Sequence, residues 1–312
     1  MTTYAKIVDQ FADQYWRLNN LYMIINKNGK SVPFRMNWAQ EELFQDLHTR
    51  NVILKARQIG FSTFIQILML DSCVFDSNIQ AGVIAHTRED AEAIFKTKVK
   101  YAYDRLPEGI RTANPATQDA ARHLTFRNGS GIRVGTSLRS GTFQYLHVSE
   151  FGKICAKYPE KAEEVITGAF PTVPKNGYIF VESTAEGQEG QFFDICQAAE
   201  TKQRQRADLT WLDFKFFFYP WQRDPAYTLH QTVDIPAEMA KYFARLASRG
   251  IELTEGQKAW YVKTAEPLGD KVRREYPSYS DEAFEASIGG SFYGDLLAKA
   301  DISSGPVKRF MS

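Results

Sequence analysis

The chain has 312 residues, 44% of them hydrophobic and 24% charged, with a formal net charge of +1. That length suffices for one sizeable α/β core plus a smaller unit, and a composition this ordinary excludes a disordered or low-complexity protein. The near-neutral balance excludes any role resting on a global basic field, so contact with nucleic acid has to come from a local basic face.

Cys73, Cys155 and Cys196 are odd in number, and none has the spacing of a zinc pair or a CxxC redox motif, which fits a reducing compartment. Met1 to Tyr15 carries Lys6, Asp9 and Asp13 and no long apolar run, so it reads as neither a secretory signal nor a membrane anchor.

In chain order, Tyr4 to Leu18 is expected to be an amphipathic helix. A hairpin follows, Leu21 to Ile25 and Ser31 to Phe34 around Asn28-Gly29. An alternation comes next: strand Val52 to Leu54, helix Phe61 to Val74, strand Ala81 to His86, helix Arg88 to Leu106. That pattern is βαβ and implies a parallel sheet. His123 to Phe126 and Gly131 to Gly135, joined through Asn128-Gly129, predict an antiparallel hairpin inserted before the next core strand. Further buried strands are expected at Tyr145 to Val148, Tyr178 to Val181 and Leu212 to Tyr219, with a helical stretch near Glu160 to Thr167. Five such strands make a doubly wound, mostly parallel core. After Pro220 the helices Ala237 to Leu246 and Glu255 to Ala265 predict a small helical subdomain. The expected division is a core over residues 1–222, a helical unit over 223–286 and a linker-like tail over 287–312.

Lys55-Ala56-Arg57-Gln58-Ile59-Gly60-Phe61-Ser62-Thr63 lies between a buried strand and a helix, where a phosphate-binding P-loop belongs. Gly60 and Ser62 match G-x-x-x-x-G-K-[ST], whereas Lys55 stands where the first glycine would be and Phe61 where the lysine would be. The chemistry survives these departures. Backbone N–H groups and a helix N-terminus attract phosphates, the Ser62 hydroxyl can ligate magnesium, and Lys55 or Arg57 can supply the cation. By itself the string fits an ordinary strand-to-helix turn equally well.

Tyr145-Leu146-His147-Val148-Ser149-Glu150 is an apolar strand ending in an acid, as the second NTPase motif does. The usual Asp-Glu pair is here Ser149-Glu150, which assigns the attacking water to Glu150 and makes it, with Ser62, a candidate for magnesium partly through water. His147 reads as a core histidine. The strand Tyr178 to Val181 runs into Glu182-Ser183-Thr184-Ala185-Glu186-Gly187, whose hydroxyls suit either a γ-phosphate sensor or a helix cap.

These motifs, in this order, resemble the ATPase domain of the large terminase subunits of tailed bacteriophages. Lys55 with Arg57-Gln58-Ile59-Gly60 is similar to that family's deviant loop, and Phe34-Arg35-Met36-Asn37-Trp38-Ala39-Gln40 to its adenine motif. Ser183-Thr184-Ala185 is similar to its coupling motif, and Tyr276-Pro277 with Glu282-Ala283-Phe284 to the end of its lid. The resemblance implies a P-loop NTPase fold with a helical lid, ATP and Mg2+ as cofactors, and Gln40, Phe34 and Arg35 as adenine contacts. It implies Glu150, Arg57 and Arg139 as catalytic groups, with Arg57 acting within the subunit or Arg139 reaching a neighbour, although a surface ion pair accounts for Arg139 equally well. The implied partners are double-stranded DNA, a portal protein, a small terminase subunit and further copies in a ring, in the host cytoplasm with no membrane contact. Lys96, Lys98, Lys100 and Lys202 to Arg206 are candidate DNA grips, though such lysines are more often a solvated helix face. No nuclease activity is expected, because no acid follows Asp301. A helicase-like translocase of other purpose and a nucleotide-binding, non-hydrolysing assembly module are the competing readings.

Overall fold

In the computed structural model, which describes residues 3–285, the apolar runs of the sequence become the strands of one eight-stranded sheet. Helices α1 (Thr3–Ala12) and α2 (Gln14–Asn20) precede the hairpin β1 (Met23–Ile25) and β2 (Ser31–Pro33). Then come α3 (Trp38–Gln45), β3 (Arg50–Lys55), α4 (Phe61–Phe75), β4 (Gln80–Ile84), α5 (Arg88–Ile94), α6 (Tyr101–Asp104) and α7 (Glu108–Ala113). Strands β5 (Ala116–Ala120), β6 (His123–Phe126), β7 (Gly131–Gly135) and β8 (Tyr145–Ser149) lead to α8 (Phe151–Lys157) and α9 (Pro159–Glu164). Strand β9 (Tyr178–Ser183), helix α10 (Gln191–Arg204) and strand β10 (Lys215–Tyr219) complete the core. Helices α11 (Ala237–Ser248), α12 (Glu255–Leu268), α13 (Lys271–Glu275) and α14 (Ser280–Glu285) follow.

The strand order is β10-β3-β9-β8-β4-β7-β6-β5. Pairs from β10 to β7 are parallel, and β6 and β5 are added antiparallel. The expected α/β class therefore holds, with one placement sharpened: β7 is a core strand, parallel to β4, and not an insertion. The order puts β9 between β3 and β8, so the strand after the second acidic motif separates that motif from the P-loop strand.

Several boundaries differ from expectation for local reasons. The first helix breaks at Asp13, which is extended (φ −82°, ψ 110°) and caps α2 by accepting from the Tyr15 N–H. Helix Arg88 to Leu106 contains a π-helical stretch, Phe95–Lys100, between α5 and α6. The last core strand starts at Lys215, because Asp213 accepts from both the N–H and the hydroxyl of Thr210 and turns the chain there. Strand β5, half-buried only at Ala116 and exposed over its other four residues, has no alternation to announce it. Helix α10 does carry a legible stripe, Phe192, Cys196 and Ala199, at helical spacing.

The described residues fall into two units. The first joins Met1–Thr184 to Glu189–Tyr219, and the second joins Ala185–Gln188 to the chain from Pro220 onward. The core boundary thus comes after Tyr219, and four residues of a core loop belong to the second unit. The second unit is helical around an aromatic cluster in which Trp221 stacks on Tyr261 and Trp260, and Ser278 Oγ bonds both Trp221 Nε1 (3.0 Å) and the Tyr242 hydroxyl (2.8 Å). The expected tail 287–312 lies outside the described residues. Among these residues no helix is long and apolar enough to cross a membrane.

Helix α4 is apolar almost all round, as a helix central to a core must be. Its one acid, Asp71, is fully buried and is held by Arg17 Nη2 at 2.7 Å and by the Tyr22 hydroxyl at 2.8 Å. Arg17 also donates to the carbonyl of Phe11, so this pair ties the N-terminal helices to α4. Arg17→Ala leaves the carboxylate buried without its counter-charge, and is expected to lower the unfolding free energy by about 3–5 kcal/mol in urea titrations. The double variant Arg17→Met/Asp71→Leu is expected to regain most of that loss.

Candidate nucleotide site at the carboxyl edge of the sheet

Strand β3 is buried from Asn51 to Lys55 and delivers Lys55 to the carboxyl edge. Beyond it Ala56 N donates to the Tyr219 carbonyl at 2.9 Å, which pins the turn to β10. Gln58 (φ 58°) and Gly60 (φ 92°) both take the left-handed conformation and turn the chain into α4. Two side chains of α3 brace this turn from outside: Asn37 Nδ2 donates to the Ile59 carbonyl (2.8 Å) and Gln40 Nε2 to the Gly60 carbonyl (2.9 Å). The same two residues form the capping box of α3. Ala56, Ile59 and Phe61 are buried anchors, with the Phe61 ring 4.5 Å from that of Tyr219, while Arg57 and Gln58 are exposed. Phe61, at the position of the usual lysine, is therefore core, and the lysine at this edge is Lys55.

Helix α4 carries Ser62 and Gln66 on one face, four residues apart. That face covers the ends of β9 and β8. Ser62 Oγ donates to Glu182 Oε1 at 2.6 Å, and Gln66 Nε2 meets His147 Nδ1 at 2.7 Å. In the β8–β9 register Ser149 lies directly opposite Glu182, and its hydroxyl donates to the same Oε1 at 3.0 Å. His147 Nε2 lies 3.4 Å from that oxygen. Lys55 Nζ stands between two carboxylates, 3.1 Å from Glu182 Oε2 and 3.4 Å from Glu150 Oε1.

The two acids differ in setting. Glu182 is wholly buried, whereas the Glu150 side chain is 39% exposed and its backbone is left-handed (φ 55°), one residue past β8. Burial alone would raise the Glu182 carboxyl, but the Lys55 charge, with help from His147 and Ser62, holds it well below the usual carboxylate range. Burial would likewise lower Lys55, and the charges of Glu182 and Glu150 outweigh it and raise the ammonium above its ordinary value. Both groups are thus ionised at neutral pH.

Glu182 was not among the residues expected here. The signal was available, because the apolar strand β9 runs into an acid just as β8 runs into Glu150. Lys98 is another surprise: it sits half-buried on the π-helical stretch. Burial lowers its pKa; the Glu182 and Glu150 charges oppose this, and the like charge of Lys55 adds to it. It belongs to the surroundings of this site and not to a solvated face.

The other expected residues are placed as follows. Phe34 is buried, its N–H bonded to the Tyr22 carbonyl, so its ring packs in the core and does not offer a stacking face. Arg35 is exposed. Gln40 is buried, with its carbonyl accepting from Asn37 N and its amide bound to Gly60, which gives it a bracing use in place of a free edge for adenine. Thr63 lies half-exposed beside Ser62 in the first turn of α4. Ser183 and Thr184 are buried against α8, where a Cβ on Gly152 would come within 2.9 Å of Ser183 Oγ. They do not cap a helix, since α10 starts at Gln191 behind Gly190. Ala185 falls in the second unit. Arg139 is exposed and pairs with Glu164 at 2.5 Å, and the Ser137 hydrogen bond followed by this arginine lowers the Glu164 pKa. Among the candidate grips Lys100 pairs with Asp104 and Asp119, Lys202 with Asp213 and Arg204 with Glu200, while Lys96 is exposed.

Magnesium fits here only as a shared ion. No cluster of three His, Cys, Asp or Glu residues able to hold a metal exists among the described residues. The donors present are hard oxygens: the Ser62 hydroxyl and the carboxylates, with Glu182 Oε2 buried and accepting no hydrogen bond, although Lys55 contacts it as an ion pair. That set suits an ion completed by water and substrate phosphates.

Gly60→Ala forces a side chain into a left-handed position, with its Cβ 2.8 Å from Gln40 Nε2. It is expected to cost about 1–3 kcal/mol of stability in urea denaturation.

No protein-family model and no curated protein sequence matches the chain. Solved structures do. The ATPase domain of the large terminase of Thermus phage P74-26 matches at a TM-score of 0.51 and 16% identity, over 78% of this chain and 94% of that one. A mutant of that domain matches at 0.51 and 18% over the same shares. The large terminase of bacteriophage HK97 matches at 0.54 and 16%, over 89% of this chain and 55% of that longer one. The chain has the fold of the ATPase domains of phage large terminases.

Proposed function

We propose that the chain binds ATP with magnesium at the turn between β3 and α4, hydrolyses it, and uses the energy to translocate double-stranded viral DNA into a procapsid. The observation that carries this reading is the array of Lys55, Glu150, Glu182 and Ser62 at the carboxyl edge of a parallel sheet, where such folds hold their ligands. Gly60 provides no capping side chain to α4, so the first-turn N–H groups and the loop amides serve a triphosphate. Lys55 brings a compact positive charge to the β- and γ-phosphates, and the exposed Arg57 brings a planar one. Magnesium, when bound beside Ser62 with the edge carboxylates, neutralises charge on the phosphate oxygens. Glu150, half-open to water, orients the attacking water and accepts its proton.

The coupling role falls to Ser183-Thr184-Ala185, because the chain leaves the first unit after Thr184, so loss of γ-phosphate is read beside a crossing point. Arg139 acts on a neighbouring copy in a ring by exchanging Glu164 for phosphate. The partners of this reading are duplex DNA gripped through its phosphates, a portal protein, a small terminase subunit and further copies of the chain, in the host cytoplasm.

Phosphate release by the purified chain tests the reading. Glu150→Gln is expected to lower turnover about 100-fold or more while nucleotide still binds. A wild-type chain that binds ATP yet releases no phosphate, even with duplex DNA and a portal ring present, would instead identify a non-hydrolysing assembly module. Gln40→Ala is expected to weaken ATP and GTP by the same factor, as loss of a loop brace requires; loss confined to ATP would restore Gln40 to adenine recognition.

A further inference from the structure

Strand β8 ends in Ser149 where an acidic pair would place its first carboxylate, and the residue opposite Ser149 in the sheet is Glu182. We infer that Glu182, on the neighbouring strand, is the carboxylate that positions the magnesium ion of bound ATP, with Ser149 holding it in place. The inference rests on the ATP reading above and assigns the metal and the water to different acids.

The geometry supports this division. Glu182 Oε1 accepts from Ser62, the hydroxyl that a P-loop offers to magnesium, at 2.6 Å, and from Ser149 at 3.0 Å. A carboxylate in contact with that serine can share a metal with it, directly or through one water. Adjacent strands lie about 4.8 Å apart, so a carboxylate can move one strand over and still reach α4 if its side chain leans back across the gap. The Glu182 contacts with Ser149 and Ser62 show that lean. The other oxygen, Oε2, is buried and accepts no hydrogen bond, with Lys55 Nζ at 3.1 Å. Glu150, by contrast, accepts from neither hydroxyl of this network and stands 39% exposed on its left-handed residue, with Lys55 Nζ 3.4 Å from its Oε1. Its exposed face is open to orient water.

The simpler alternative makes Glu182 only the counter-ion of Lys55. A counter-ion stabilises the fold and the lysine, and it confers no dependence on metal. Binding of the non-hydrolysable analogue adenylyl imidodiphosphate to the full chain, by calorimetry in Mg2+ and in EDTA, separates the two, and the electron paramagnetic resonance spectrum of Mn2+ with the same analogue reports the ion itself. The expected result is that the ratio of affinity in Mg2+ to affinity in EDTA falls about 10- to 100-fold in Glu182→Gln, whatever its affinity in EDTA. Ser149→Asp combined with Glu182→Ser, which returns an acid to β8, is expected to recover most of the gain and the Mn2+ signal. If Glu182→Gln fails to fold, Glu182→Asp, which keeps the charge and retracts it by one methylene, is expected to show a reduced Mg2+ gain. Retention of the full wild-type gain in Glu182→Gln or Glu182→Asp would overturn the inference. A wild-type chain that binds the analogue in neither buffer would overturn the ATP reading itself, which is a different result.

Discussion

The buried pair of Lys55 and Glu182 is the constraint on which the rest of the site depends. A fully buried carboxylate is tolerated only when charge and hydrogen bonds compensate it. Here Lys55 from β3, Ser62 from α4 and Ser149 from β8 each contact it, so one side chain on β9 locks three other elements at the carboxyl edge. Shifting any of these elements along the sheet would strand a charge. The candidate site and the mechanical integrity of the core are thus the same set of contacts.

Around that lock the loop divides its labour. Ala56, Ile59 and Phe61 go inward as anchors, while Arg57 and Gln58 face solvent. Its curvature is held from outside by Asn37 and Gln40, which spend their amides on the carbonyls of Ile59 and Gly60. A loop shaped by fixed hydrogen bonds offers its N–H groups in a preset arrangement. Preset dipoles need little rearrangement when a phosphate arrives.

The charge distribution is equally local. Three of the basic residues singled out as grips, Lys100, Lys202 and Arg204, are paired with neighbouring acids, in keeping with a net charge near zero. Lys98 differs: a π-helical stretch carries it, half-buried, into the field of the site acids. Such irregular turns commonly sit where a helix must present a side chain off its regular phase. The fold shared with terminase ATPase domains at 16–18% identity shows that this framework tolerates replacement of most of its residues.

From the residues alone came the parallel α/β core, the strand-to-helix turn from Lys55 to Thr63, the acid after β8 and the order of these segments. These are legible because strand burial, helical spacing and loop position are local patterns. What only tertiary structure decided is which acid meets Ser62, what Gln40 does with its amide, and where Lys98 lies. Ser62 and Glu182 stand 120 positions apart, and their meeting depends on β9 inserting between β3 and β8 and on the register that sets Ser149 opposite Glu182. Strand order and register are set by the packing of the whole sheet, so no window of the sequence contains them.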